Sequence, residues 1–130
     1  MPRFAILIHD HPFLHWDLLV EQAGVLRSWR LLECPDRWLL ATRPITLSAE
    51  AIPDHRLAYL DYEGPVSRER GSVQRWDSGR VEWLEQSEQM IRLKLEGKRL
   101  QGMLMLTQPD DAQLWRAVFD GRMANASFHS

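Results

Sequence analysis

The stretch HWDLLVEQAGVLRSWRLL, residues 15–32, contains the pattern that decides the fold. Its first part, residues 15–21, alternates apolar side chains with mostly polar ones, as in a β-strand that has one buried face. The sequence Gln22-Ala23-Gly24 is typical of a turn, and residues 25–32 then predict the return strand of a hairpin. These residues therefore favour antiparallel β-structure.

The same period of two recurs along the rest of the chain and predicts about nine short strands in all. Residues 34–53 are less regular, and we expect a long loop that crosses the barrel, with one helical turn near residues 48–51. The resulting fold class is all-β, a small antiparallel β-barrel with little helix, whose closure would hide the strand edges. The other predicted strands cover residues 4–8, 58–62, 71–76, 80–84, 90–96, 100–107 and 114–119, with a turn at Asp77-Ser78-Gly79.

Length and charge restrict the classes of function. The 130 residues predict one domain over residues 1–121 and a disordered polar tail over residues 122–130. Sixteen basic against 18 acidic side chains give a net charge of −2, so any contact with nucleic acid should be local.

No apolar run approaches the roughly 20 residues of a membrane helix, and the N-terminus does not resemble a signal peptide. We therefore expect a cytoplasmic protein without membrane contact, and the single Cys34 excludes an intrachain disulfide.

A group of imidazole and carboxylate side chains is the main candidate for chemistry. His15 and Asp17 are two residues apart and share one strand face, while His9 ends the preceding strand and can fold over the same opening. Such a set leaves coordination positions open and suits Mn²⁺, Fe²⁺ or a catalytic Zn²⁺. His55 stands apart, and Tyr59 has the parity to point into the same opening.

Several motifs then resemble one family, the 3′-phosphoesterase domain of bacterial DNA ligase D. The family's histidine–aspartate signature is similar to HDHPFLHWDLLVE at residues 9–21, and GVLRSW at residues 24–29 follows it as in the family. The sequence DHRLAYLDYEG at residues 54–64 is similar to the family's next motif, and residues 76–79 and 93–102 match its closing hairpins. The resemblance extends from Phe4 to Phe119.

The resemblance implies a small β-barrel with a groove that trims damaged or ribonucleotide-tipped 3′ ends during end joining, with Mn²⁺ as cofactor. It implies that His9, His15 and Asp17 bind the metal. His55 would contact the scissile phosphate or protonate the leaving oxygen, and Tyr59 would support it. A divalent ion that activates water and an imidazole that supplies a proton are suited to this hydrolysis.

The sequence also departs from the family pattern. Leu19 stands where the family has an arginine, on the strand face of the predicted ligands, and Glu33 stands where it has a lysine. We expect these changes to weaken the activity and an arginine at position 19 to restore it. In the shortened loop of residues 65–71, Arg68 and Arg70 could form a phosphate clamp with His55. The family's N-terminal arm and its polymerase and ligase domains have no counterpart, so we expect a stand-alone version with a separate repair ligase or polymerase as partner.

Three functions remain open from the sequence. The first is a metal-dependent 3′-phosphoesterase that acts on nucleic-acid 3′ ends or on a small phosphoester. The second is a metal-containing module that binds DNA ends without catalysis. The third is an Fe²⁺ enzyme in which His15, Asp17 and His55 form a facial triad.

Overall fold

The computed structural model describes residues 2–109 and 113–121 and has an antiparallel β-barrel as its framework. Eight strands form the barrel, which closes because the first strand of the chain pairs with a neighbour on each side. The predicted all-β class with little helix is confirmed. The predicted tail, residues 122–130, lies outside the described residues. The strands are β1 (Arg3–His9), β2 (His15–Gln22), β3 (Val25–Leu31), β4 (Ile45–His55), β5 (Gly64–Pro65), β6 (Ser72–Gln86), β7 (Met90–Gly97), β8 (Gln101–Thr107) and β9 (Trp115–Asp120). Around the barrel their order is β1-β2-β3-β4-β9-β8-β7-β6, and β1 pairs with both β2 and β6.

The barrel interior is one apolar cluster to which all eight barrel strands contribute. Alternation along β1 places Phe4 and Ile6 in this cluster, whereas Ala5 and Leu7 belong to a second cluster on the outer face, called here the outer cluster. Leu60, from the segment between β4 and β5, packs into that second cluster. The outer face of β1 and β2 is therefore covered, and a functional group there can lie in a partly buried setting.

The helical content is small and corrects one predicted strand. Helix α1 (Asp36–Leu39) and a 3-10 helix (Leu57–Leu60) each have four residues. The strand predicted over residues 58–62 is wrong, because Leu60 is buried against the outer face in a helical turn. None of the helices in the described part of the chain is long and apolar enough to cross a membrane.

The second part of the segment predicted as a long loop is a strand. Residues 45–55 form β4, which pairs with β3 on one side and β9 on the other. The helical turn predicted near residues 48–51 is therefore wrong, and the connecting loop ends before Ile45. Leu47 and Ala49 are fully buried in the barrel interior, which is why this stretch forms a strand.

The hairpin predicted around residues 77–79 is also wrong, since β6 continues from residue 72 to residue 86. The buried carboxylate of Asp77 accepts hydrogen bonds from the backbone N–H groups of Lys98, Arg99 and Leu100 at 2.9–3.0 Å. Asp77 thus holds the turn between β7 and β8 instead of forming one itself. Gly79 lies opposite Gly97, where a Cβ would collide with the backbone of the neighbouring strand.

Candidate metal and phosphate site

Three ligand-type side chains meet on the outer face of the first hairpin. His9 ends β1 and lies opposite His15, which begins β2, while Asp17 lies opposite Leu7. One ligand atom from each of His9, His15 and Asp17 can be chosen so that all three lie within 4.8 Å of one another. The strand register therefore brings together the three residues that the sequence singled out.

The fully buried His15 has an orientation that exposes a lone pair to Asp17. Its Nδ1 lies 2.8 Å from the carbonyl oxygen of Phe13, and because a carbonyl only accepts, Nδ1 carries the proton. Nε2 then faces Asp17 Oδ1 at 3.1 Å, and neither buried atom has a hydrogen-bond partner within the described residues. Two unpaired buried acceptors are unfavourable, and a cation or an added proton between them would satisfy both. This arrangement fits a divalent metal.

The electrostatics keep Asp17 ionised. Burial alone would raise the pKa of Asp17, but the hydrogen bonds that the imidazoles of His15 and His9 donate when they carry the added proton outweigh burial and lower that pKa to about 2. The hydrogen bond with Asp17 raises the pKa of His9, against the opposing effect of burial. A proton on His9 therefore competes with a metal ion for the same nitrogen atoms.

A loop from the other side of the site holds His9 in place. His9 Nδ1 lies 3.2 Å from Asp17 Oδ2, and its Nε2 lies 2.9 Å from the carbonyl oxygen of Arg70. The loop approaches this closely at Gly71, which has φ of +74° and leaves no room for a Cβ beside Asp10. Asp10 in turn accepts a hydrogen bond from the backbone N–H of Ser72 at 2.8 Å.

His55, at the end of β4, is fixed by a network of its own. Its Nδ1 lies 3.1 Å from the carbonyl oxygen of Pro53 and 2.9 Å from Ser28 Oγ, while Ser28 donates to the carbonyl oxygen of Leu26. Nδ1 must therefore carry the proton. Nε2 makes no hydrogen bond within the described residues, and Tyr59 packs edge-on against the ring at 5.4 Å.

A cavity of about 270 Å³ connects the two histidine networks. Its lining includes His9, Asp17, His55, Tyr59 and Arg70 of the predicted site residues. Arg68, the other arginine of the predicted clamp, is not among its lining residues. The ligand set formed within the described residues contains His9 and not His55, in contrast to the facial-triad alternative.

The two departures from the family pattern have structural roles. Leu19 is fully buried in the outer cluster, and this burial argues against the expectation that an arginine there would reach a phosphate. Glu33 accepts a hydrogen bond from the backbone N–H of Ser48 and forms an ion pair with Arg37 at 2.6 Å. Glu33 is not among the residues that line the cavity.

The sequence reasoning missed two residues of the site, Ser28 and Arg30. Ser28 orients His55, and Arg30 lies directly opposite Asp17 and lines the cavity. The signal that could have identified Arg30 is the two-residue turn at Ala23–Gly24. With Gln22 paired to Val25, the hairpin register pairs Asp17 with Arg30.

Comparison with known proteins places the chain in a family. Residues 8–108 match the model of the DNA ligase D 3′-phosphoesterase domain, and the chain belongs to that family. A relative is the multifunctional non-homologous end joining protein LigD of Pseudomonas aeruginosa, which is 31% identical over 80 residues. That match covers 59% of this chain and 9% of the LigD protein, so the chain spans a small part of its relative's length.

Proposed function

We propose that the protein is a metal-dependent phosphoesterase that processes the 3′ ends of nucleic acids. The observation that carries the proposal is the pair of buried, unpartnered acceptors, His15 Nε2 and Asp17 Oδ1, 3.1 Å apart beside a cavity. Family membership supports the reaction class. A closed, purely structural site would satisfy these atoms internally, whereas an open one leaves them for a ligand.

His9, His15 and Asp17 would hold the metal. A bound divalent cation such as Mn²⁺ would polarise a phosphoryl oxygen and lower the pKa of a water molecule. Phe13 keeps His15 in the tautomer that offers Nε2, through its carbonyl oxygen. For His9 to become a ligand, one of its two ring nitrogens must give up either Asp17 or the carbonyl oxygen of Arg70.

His55 supplies the proton in this proposal. Its Nδ1 proton is fixed by Pro53 and Ser28, so a second proton can reside only on Nε2. From Nε2 the imidazolium can donate that proton to the oxygen that leaves the phosphorus. Tyr59 is a positioning residue, because its ring packs against the imidazole and limits the ring's rotation.

The proposed substrate is the terminus of a strand, with a small phosphoester as the simpler alternative. A net charge of −2 does not favour binding along a duplex, whereas one cavity can hold one terminal phosphate. The relative's printed name links it to end joining, and we propose that a separate repair ligase or polymerase uses the product. A cytoplasmic location stays a prediction.

The experiment is an end-processing assay with Mn²⁺ on a primer–template that carries a 3′-phosphate or a 3′-terminal ribonucleotide. The wild-type protein should release phosphate or the terminal ribonucleoside, and chelation of the metal should stop the release. Asp17→Asn should lose both metal binding and activity, whereas His55→Gln should lose activity with metal binding retained. Bound metal without any release would contradict the proposal and favour the end-binding module.

A further inference from the structure

Arg30 lies in the middle of the outer face beside the candidate metal ligands. Its cross-strand neighbours are Asp17 on β2 and Glu50 on β4. Side chains directly opposite each other on neighbouring strands are close enough to interact. The Arg30 side chain therefore shares the outer face with the carboxylate that would bind the metal, and it lines the same cavity as His55.

The guanidinium of Arg30 has no anionic partner in the part of the chain that the structure describes. Its buried Nε makes no hydrogen bond, and neither Asp17 nor Glu50 comes within ion-pair distance. Its described contact is with the ring of Phe13, whose centroid lies 5.3 Å from Cζ. A half-buried cation with an unused donor is costly unless a ligand completes its hydrogen bonds.

The other arginine of the cavity is differently engaged. Arg70 donates from Nε to the carbonyl oxygen of Ser67 at 2.9 Å and from Nη2 to Ser67 Oγ at 3.2 Å. Its side chain is thus used within its own loop, and its backbone carbonyl holds His9. Of the two arginines that line this cavity, Arg30 is the one whose side chain has no hydrogen-bond or ion-pair partner within the described residues, and its planar fork of donors matches the oxygen atoms of a phosphate.

We propose that Arg30 binds the non-bridging oxygens of the phosphate at the strand terminus and so selects a phosphorylated 3′ end over a 3′-hydroxyl end. This inference rests on the proposed function and names the group that recognises its substrate. At the position where the family pattern has an arginine, this chain has Leu19, which is buried in the outer cluster. Arg30 supplies the cation from the neighbouring strand instead.

The test is equilibrium binding of a short primer–template that ends in a 3′-phosphate, compared with the same molecule ending in a 3′-hydroxyl. Binding is measured without metal and again with Mn²⁺, on the wild type, Arg30→Ala, Arg30→Lys and the control Arg116→Ala. Arg116 is exposed on β9, two strands from Arg30, and its removal makes the same change in net charge.

The wild type and Arg116→Ala should prefer the 3′-phosphate end, and Arg30→Ala should lose about tenfold or more of that preference. Arg30→Lys should retain part of it, since a lysine keeps the charge but not the fork. Circular dichroism and thermal unfolding check that each variant is folded.

An unchanged preference in folded Arg30→Ala, or its equal loss in Arg116→Ala, would overturn the inference. The proposed function fails by a different result, which is absence of metal-dependent release in the wild type. Because the binding comparison needs no turnover, the two failures are distinguishable.

Discussion

Replacing Asp17 by asparagine tests the electrostatics of the site in the metal-free protein. The folded-state pKa of Asp17 is about 2 against an ordinary value of 3.8, a difference worth about 2 kcal/mol of folding free energy. Because the folded pKa is the lower one, this stabilisation is complete above about pH 5 and is lost as the pH falls through about 2.

The assay is urea unfolding with a chelator present, on the wild type and Asp17→Asn, from pH 7 to pH 3. We expect the variant to be about 2 kcal/mol less stable at pH 7, with the difference reduced to about half near pH 3. Asp61→Asn is the control, since the exposed Asp61 carboxylate pairs with Arg3 at the surface and should contribute much less. A difference that does not change with pH would show that the ionised carboxylate of Asp17 does not stabilise the fold.

Three further predictions follow from the same geometry. Leu19→Arg should lose about 3–5 kcal/mol in urea unfolding, because it buries a charge in the outer cluster; a stable variant with faster phosphate release would contradict that placement. His55→Gln should slow phosphate release by about 10²–10⁴-fold at unchanged Mn²⁺ affinity in calorimetry, and a robust residual rate would refute its role as acid. The pKa of His9 lies above the ordinary 6.5, and protonation of His9 removes a metal ligand. Mn²⁺ affinity should therefore decrease as the pH falls through this pKa. Calorimetry showing constant affinity between pH 6 and pH 8 would contradict this.

The alternation of side chains made the ligand set predictable. His15 and Asp17 are two residues apart on a strand, and His9 ends the strand before a short connection, so one face had to receive all three. The same local rule would have found Arg30 if the hairpin register had been counted through the turn at Ala23–Gly24. Features that depend on strand alternation and hairpin register can therefore be predicted from the sequence.

Packing between distant segments could not be predicted in this way. The apolar spacing of Leu57–Leu60 suits a strand and a helical turn equally, and burial of Leu60 against the outer cluster decides between them. The sequence alone shows Leu19 as a missing arginine, whereas the structure shows that Leu19 is a buried core residue. Asp77 resembles a turn residue, yet its carboxylate serves a hairpin more than twenty residues further along the chain.

The central claim is that a divalent cation binds between His9, His15 and Asp17. Crystals soaked with Mn²⁺ and inorganic phosphate, measured for anomalous scattering, test it most directly. We expect one strong peak within about 2.3 Å of His15 Nε2, Asp17 Oδ1 and a nitrogen of His9, with His9 moved away from Asp17 or from Arg70. No peak at these three residues, or a peak held by His15, Asp17 and His55 without His9, would contradict it.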